Sequence, residues 1–275
     1  MRGYLPTKFD STPPPIDAGS LTGLCGEQGR KRKPDFVIKI NHGNRTPTKE
    51  SEMCGRFALK APPADIISRF GVDAVPEAAP RYNIAPTQPI LIVRHRWQQP
   101  EAKPEAVLVK WGLLPSWAKD ESMAARLANA RGETVAEKPA FRSAFRRMRC
   151  LIPADGFYEW EATPAGKQPW FIRLKSQELL AFAGLWERWQ APDGTPLETA
   201  TIITTDANEL VRPVHDRMPV ILQPADYAAW LGAQTKAEDL KALLKPLPED
   251  MMERYRVSRR MSNARNEGEE CMAPV

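Results

Sequence analysis

Cysteines and histidines are the residues of this chain whose types could support nucleophilic or metal chemistry. The four cysteines form no Cys-x-x-Cys pair, and the three histidines are not clustered: they are Cys25, Cys54, Cys150 and Cys271, and His42, His95 and His215. Zinc sites and disulfide frameworks place their cysteines at short, recurring spacings. The pattern therefore disfavours a metal site and a disulfide scaffold, and a single cysteine acting as a nucleophile is the chemistry left to consider.

Cys54 lies in the segment Met53–Phe57, and a cysteine between Met and Gly is on its own more typical of an inert residue. Four further segments change this interpretation. They are, in order, Trp111–Ala118, Asn129–Thr134, Cys150–Trp160 and His215–Pro219. Together with the Cys54 segment, their order and spacing resemble the SRAP family (SOS response-associated peptidase), whose members shield abasic sites in DNA.

The resemblance runs from Met53 to the C-terminal region around Ser262, Asn263 and Cys271, and it includes none of residues 1–52. It implies that the partner is single-stranded DNA containing abasic sites, that the protein is a monomer, and that it holds no metal or other cofactor. A DNA lyase activity and an autoproteolytic peptidase activity, which is a hydrolase function, are further implications.

The resemblance also implies a set of site residues. The initiator Met is removed in this family, so that Cys54 would become the first residue of the mature chain and act as the nucleophile. The other residues carried over are three polar residues around Cys54, namely Arg56, Asn129 and Arg131, and an acid–base pair, Glu159 and His215.

The chemistry of an N-terminal cysteine explains why such a residue suits an abasic site. An opened abasic sugar carries an aldehyde, and an α-amino group, whose pKa is about 7.7–8.0, is partly neutral near pH 7.5 and can attack it. The thiol can then close on the imine carbon to give a five-membered thiazolidine, because the ring closure is intramolecular. An internal cysteine offers only an amide nitrogen, so the mechanism requires cleavage between Met53 and Cys54.

Residues 1–53 differ from the remainder, 54–275, which we predict to be the SRAP domain. The first part contains a Pro-rich stretch, a basic run and little periodic hydrophobicity, so it cannot bury enough apolar surface to offset the entropy of ordering it. Three explanations for it remain open: translation begins at Met53, the extension is removed by self-cleavage, or the chain stays intact and cannot form the crosslink.

The candidate site residues have less specific alternatives. In an apolar setting the pKa of a glutamate rises, which would let Glu159 protonate the ring oxygen and open the sugar, but Glu159 could equally be an exposed strand residue. A histidine titrates near neutral pH, so His215 could shuttle protons or serve as a structural hydrogen bonder. Asn129 can hold the amine or the sugar. Arg56 and Arg131 suit bidentate contacts with phosphates, or else pair with surface carboxylates.

Aromatic and basic residues are the candidate DNA-binding set. Trp111 and Trp117 bracket an apolar turn and could stack on bases, although both could also fill the core. A second group, Lys138, Arg142, Arg146 and Arg149, recurs at spacings of four, four and three, which predicts one basic helix face. A solvated face is the alternative, and Arg149 precedes a predicted strand, where it could be buried.

Bulk charge says little about DNA. Residues 1–53 hold nine Lys and Arg against six Asp and Glu. The remaining thirty Lys and Arg and twenty-eight Asp and Glu lie in residues 54–275, which therefore carry a net charge of +2. A DNA-binding role therefore needs a local basic patch.

Two other functions remain: a self-processing cysteine peptidase with a Cys54–His215 pair, and a noncovalent binder of single-stranded DNA. The absence of a secretory signal at the N-terminus and of long apolar runs predicts a cytoplasmic location. The resemblance implies that the protein associates with the nucleoid where DNA is damaged.

Strand-like segments dominate the middle of the chain and helix-like segments flank them, which predicts an α+β domain on antiparallel sheet, single and barrel-like as the resemblance implies. Helices are predicted at Pro63–Phe70 with a Gly71 stop, Pro139–Met148, Asp226–Leu231 and Ala237–Leu244. Strands are predicted at Pro89–Arg96, Ala106–Leu113, Cys150–Trp160, Pro169–Leu174, Leu180–Trp189 and Thr199–Thr205, the first two forming a hairpin.

Overall fold

The structure, a computed structural model, describes residues 55–96, 99 and 102–275. Cys54 and the predicted N-terminal extension lie outside the described residues, so the predicted boundary at residue 53 stays a prediction. The described strands are β1 Phe57–Leu59, β2 Arg81–Ile84, β3 Pro89–Arg94, β4 Glu105–Trp111, β5 Asn129–Arg131, β6 Arg149–Ala154, β7 Gly156–Thr163, β8 Gly166–Leu174, β9 Leu180–Gln190, β10 Pro196–Asp206, β11 Arg217–Pro219 and β12 Met252–Arg256.

The helices are short. They are α1 Pro63–Phe70, α2 Arg142–Arg147, α3 Tyr227–Leu231 and α4 Ala237–Ala242, with 3-10 turns at Glu121–Leu127, Pro224–Asp226, Glu249–Met251, Arg259–Ser262 and Glu269–Cys271. In α1, proline stands in the first turn, where its missing N–H is harmless, and Gly71 ends the helix at φ 66° with its N–H donating to Ile67 O. No helix among the described residues is both long and apolar enough to cross a membrane.

Two sheets make up the fold. The smaller sheet has the order β12-β8-β7-β1-β2 and is antiparallel throughout. The larger has the order β11-β10-β4-β3-β6-β9, and the further pairing of β9 with β10 closes it into a barrel. The predicted α+β, barrel-like fold is confirmed. Two pairings depart from the antiparallel prediction, because β4 and β5 both run parallel to β10.

The main core lies between the two sheets. Phe57 on β1 packs edge-on against Trp111 on β4 with ring centroids 5.2 Å apart, and Phe157 on β7 packs against Phe182 on β9 at 6.1 Å. The helices cover the opposite face of the larger sheet, where Phe145 of α2 contacts Trp230 of α3. Burial of these aromatic side chains supplies much of the stabilising apolar area.

The predicted Cys150–Trp160 strand is two strands in the structure. Asp155 breaks the run, because its carboxylate accepts hydrogen bonds from the backbone N–H groups of Lys60 and Ala61, at 2.6 and 3.1 Å. The predicted Pro139–Met148 helix is also shorter, since residues before Arg142 form turns. The predicted hairpin is present: β3 and β4 pair antiparallel from Pro89 opposite Lys110 to Arg94 opposite Glu105.

Candidate functional site

Glu159 is a buried carboxylate on the inner face of the smaller sheet. It lies two residues after Phe157 on β7, so both side chains point toward the larger sheet. Only 1 % of its surface is exposed. Removing a carboxylate from water is costly without polar partners, and residues kept in such positions are frequently functional. The alternative of an exposed strand glutamate is therefore wrong.

The strand β5 places Asn129 and Arg131 on the inner face of the larger sheet. Asn129 pairs with Ile202 of β10 and Arg131 with Thr204, and Ile202 belongs to the core between the sheets. Paired residues on neighbouring strands share a face, so both polar side chains point to the side on which Glu159 lies in the opposite sheet. Asn129 is half-buried and Arg131 is exposed. This is the location that a hydrogen-bonding residue and a phosphate contact would need.

His215 lies just before β11, at the same end of β10 as Arg131. The Arg217 N–H donates to His215 Nδ1 at 3.0 Å, which orients the half-buried imidazole. The carbonyl oxygen of Thr204 accepts two hydrogen bonds at 2.8 Å, one from the Gly132 N–H and one from Arg217 Nη2. The segments that carry Asn129–Arg131 and His215 are therefore fastened to one residue of β10.

Arg56 has contacts on the outer face of the smaller sheet. Its Nη1 donates to Asn83 Oδ1 at 2.7 Å and to the Met261 carbonyl at 3.1 Å, and its guanidinium lies 5.7 Å from the ring of Trp160. These contacts fasten the start of β1 to the C-terminal segment. They indicate an anchoring role for Arg56, while its predicted phosphate contact stays a prediction.

The two candidate stacking residues differ in exposure. Trp111 is completely buried, its Nε1 donates to the Ala128 carbonyl at 2.9 Å, and its ring packs on Phe57. The prediction that Trp111 stacks on DNA bases is therefore wrong, because its ring packs in the core between the sheets. Trp117 is 56 % exposed and can meet a ligand.

The predicted basic face is partly present. Arg142 and Arg146 are exposed on α2, and Lys138 is exposed just before it. Arg149 instead lies inside the protein, where its guanidinium donates to the carbonyls of Trp230, Phe145 and Gly232 at 2.6, 2.8 and 2.7 Å. Because α2 covers the outer face of the larger sheet, these exposed arginines lie across that sheet from the face that carries Asn129.

The other cysteines in the described part of the chain are poor nucleophiles. Cys150 and Cys271 are both buried, and burial raises the pKa of each thiol, with Glu270 and Glu267 adding to the effect on Cys271. The reactive thiolate form is therefore scarce at neutral pH. Among the same residues, no three His, Cys, Asp or Glu side chains lie close enough together to hold a metal ion.

Residues that the motifs did not indicate also line this region. Arg217 and Glu133 form an ion pair beside His215, and Trp170 of β8 lies directly across from Glu159. Arg256 of β12 lies across from Trp170 in turn. Of these four, Glu133 and Arg217 stand inside recognised segments, so their position could have been expected. Trp170 and Arg256 carry no signal in the spacing.

Comparisons with known proteins agree with this arrangement. The family model for SOS response associated peptidase (SRAP) matches residues 53–264. The abasic site processing protein YoqW of Bacillus subtilis (strain 168) is 45 % identical over 225 residues, covering 80 % of this chain and 99 % of the relative. The abasic site processing protein HMCES of Gallus gallus is 33 % identical, covering 71 % of this chain and 66 % of that protein.

Solved structures show the same fold. A protein from Bacteroides thetaiotaomicron superposes with a TM-score of 0.73 and 25 % identity, covering 81 % of this chain and all of that one. A phage-related protein from Bordetella bronchiseptica gives a TM-score of 0.61 at 30 % identity, covering 75 % of this chain and 95 % of the other. With the family model matching well over half of its residues, this chain belongs to the SRAP family.

Proposed function

We propose that this protein processes abasic sites in single-stranded DNA, and that Cys54, as the first residue of the mature chain, forms a covalent thiazolidine with the opened sugar. Relatives named abasic site processing proteins, one of them matched over 99 % of its length, support the substrate class. The proposal excludes a metal or other cofactor, and the partner is DNA.

The observation that carries the proposal is the pairing of β1 with β7. Phe57 lies opposite Phe157, and the Tyr158 N–H donates to the Arg56 carbonyl at 2.9 Å. Continuing this antiparallel register by one more residue brings Gly55 opposite Glu159. The extended register would set the residue after the proposed nucleophile beside the buried carboxylate, and it supports a joint role for Cys54 and Glu159.

The chemistry assigns one task to each group. Glu159 donates a proton to the ring oxygen while the hydroxyl on the anomeric carbon loses its own to solvent, so that the bond between that carbon and the ring oxygen breaks and the sugar opens to the aldehyde. The Cys54 amine attacks the aldehyde carbon and loses water to give an imine, and the thiol then adds to that carbon while its proton passes to the nitrogen. His215 moves protons during imine formation and reversal. The saturated ring that results cannot assist β-elimination of the strand.

The supporting residues hold the DNA. Asn129 hydrogen-bonds the sugar or the amine, and Arg131 binds a flanking phosphate. Trp117 is exposed for stacking on a base. Arg142 and Arg146 lie beyond the larger sheet, where they can contact only a part of the DNA that runs around the protein.

Self-cleavage between Met53 and Cys54 is the second candidate activity. It follows from the same machinery, because a Cys54 thiol with Glu159 and His215 nearby could attack the preceding peptide bond. A start of translation at Met53, followed by removal of that Met, would make this step unnecessary. Mass spectrometry of protein whose translation starts at Met1 tests self-cleavage: a peptide that begins at Cys54 supports it, and an intact Met1 terminus contradicts it.

The crosslink itself is tested on a denaturing gel. Protein that starts at Cys54 is incubated with single-stranded DNA containing one abasic site and compared with its Cys54→Ala and Cys54→Ser variants and with the full chain. We expect a heat-stable shifted band from the unaltered domain and none from Cys54→Ala, and from the full chain only if it cleaves itself before Cys54. No band would overturn the covalent proposal, and an equal band from Cys54→Ala would remove Cys54 from its role.

A further inference from the structure

We propose that Trp170, Arg254 and Arg256 form a phosphate-binding shelf for the DNA strand that enters the Glu159 site. This inference rests on the proposed function, and it names a contact surface that the sequence motifs did not indicate. The shelf is built by β8 and β12, next to β7 in the smaller sheet.

The strand register places the shelf beside Glu159. Glu159 lies opposite Trp170, and Trp170 lies opposite Arg256, so the three residues form one row across β7, β8 and β12. The neighbouring row on the same face contains Phe157, Ile172 and Arg254. Because Phe157 and Ile172 belong to the core between the sheets, the shelf side chains project on the inner face, at the rim of that core.

The two arginines converge on one indole. The guanidinium carbons of Arg254 and Arg256 lie 4.6 and 5.1 Å from the centre of the Trp170 ring. The ring is held in place, because its Nε1 donates to Glu161 Oε2 at 2.9 Å. Stacking on an indole restrains a guanidinium while its N–H groups stay available for a planar or tetrahedral anion.

These two charges are not neutralised. In the part of the chain that the structure describes, neither Arg254 nor Arg256 forms an ion pair or a side-chain hydrogen bond, whereas Arg173 on the same strand pair binds Glu253 at 2.7 Å. Residues two apart on a strand are about 6.6 Å apart, so the two like charges repel each other. An anion between or beside them removes that repulsion, and successive phosphates of a DNA strand are anions of the right kind.

The test measures noncovalent DNA binding, so that it does not depend on the crosslink. Fluorescence anisotropy with a fluorescein-labelled oligothymidylate that has no abasic site gives the affinity of the full chain over a series of salt concentrations. We expect the double variant Arg254→Gln/Arg256→Gln to bind roughly 10-fold more weakly. We also expect the slope of log affinity against log salt to become shallower by about 1.4, which is two phosphate contacts to a single strand.

Two further variants separate the shelf from a general effect of charge or of folding. Arg173→Gln removes an arginine from the same pair of strands, but one that stacks over Tyr255 on the opposite face, and it is expected to leave affinity and slope unchanged. Arg254→Lys/Arg256→Lys keeps both charges and should retain the slope. Thermal unfolding midpoints verify that all variants fold.

The proposed shelf is ruled out if Arg254→Gln/Arg256→Gln keeps the affinity and salt slope of the unaltered chain. It is also ruled out if Arg173→Gln lowers the affinity and the slope as much as the double variant does. Either result would leave abasic-site processing standing, because the unaltered chain would still bind DNA. Failure of the unaltered chain to bind the oligonucleotide would instead overturn DNA binding as a whole, and the shelf with it.

Discussion

Arg217 binds both carboxylate oxygens of Glu133, with Nη1 2.7 Å from Oε1 and Nη2 2.9 Å from Oε2. The same guanidinium reaches Asp206 and the Thr204 carbonyl, so it joins the segment after β5 to β10 and β11. His215 is two residues away and accepts the Arg217 N–H. The position of the proposed proton shuttle therefore depends on the Arg217–Glu133 ion pair.

Glu133→Gln should lower the free energy of unfolding by about 1 kcal/mol at pH 7, since Arg217 is largely buried but Glu133 is half-exposed and screened by water. Partial burial raises the pKa of the Glu133 carboxyl, but the hydrogen bonds and charge of Arg217 outweigh it, so this pKa lies below the ordinary 4.5. A depressed carboxyl pKa stabilises the fold above pH 4.5, and this contribution is lost as the pH falls through the folded pKa.

Urea denaturation at a series of pH values measures this effect. The difference between the unaltered chain and Glu133→Gln should be full at neutral pH and vanish below the pKa of the folded carboxyl. Glu137→Gln is the control, because Glu137 is exposed and forms no ion pair within the described residues. A difference that persists unchanged into acid would contradict the ion-pair explanation.

Trp111→Ala and Trp117→Ala should separate stability from DNA binding. Trp111→Ala removes a buried ring and an indole hydrogen bond, so we expect the free energy of unfolding to fall by about 3–5 kcal/mol. Trp117→Ala should change it by less than about 0.5 kcal/mol and weaken binding of single-stranded DNA roughly 10-fold. Denaturant titration and anisotropy give the two quantities, and the reverse pattern would refute the assignment.

Glu159→Gln should slow crosslinking about 100-fold or more, because an amide cannot donate the proton that opens the sugar. Binding of intact single-stranded DNA should change little. Glu187→Gln is a matched control, as Glu187 is a half-buried strand glutamate on β9 whose pKa is raised by burial. Single-turnover crosslinking measured by gel at saturating DNA checks the rate. An unaltered rate for Glu159→Gln would remove it from the mechanism.

Arg149→Met should lower the free energy of unfolding by about 2–4 kcal/mol, since it leaves three carbonyl oxygens without their charged donor. Burial lowers the pKa of the Arg149 guanidinium to about 10, which reflects its dry environment. Arg146→Met, on the exposed side of α2, should leave stability unchanged, and any effect on DNA binding should come from this variant. Equal destabilisation by the two would contradict the assignment.

The sequence predicted elements whose signals are local. Pro63 and Gly71 mark the two ends of α1, and alternating apolar residues predicted the β3–β4 hairpin. Glu159, Asn129 and His215 were implied only by the family resemblance that the five ordered segments carry. The structure places Glu159 and Asn129 on the faces that border the space between the sheets, and His215 near its end. Local patterns succeed here because the turn and strand preferences that they record act over a few residues.

Features set by tertiary packing could not be read in this way. The spacing of Arg149 matches a solvated helix face, but the residue lies where the chain turns inward, and only the position of α3 makes it a buried donor. Trp111 and Trp117 are equally apolar, yet one fills the core and the other is exposed. The row that joins Glu159 to Trp170 and Arg256 depends on strand order, which no spacing in the sequence encodes.

Burial of Cys150 and Cys271 makes chemical labelling of this protein unusually simple to interpret. With two of the four cysteines enclosed and their thiols held in the protonated state, rapid alkylation of the native chain by iodoacetamide must be assigned to Cys25 or Cys54. A mature chain that begins at Cys54 would retain only the second of these. The mature chain would then take up one equivalent of label rapidly, and chain that has already been crosslinked to DNA would take up none. The amount of rapid labelling would therefore measure the amount of active protein.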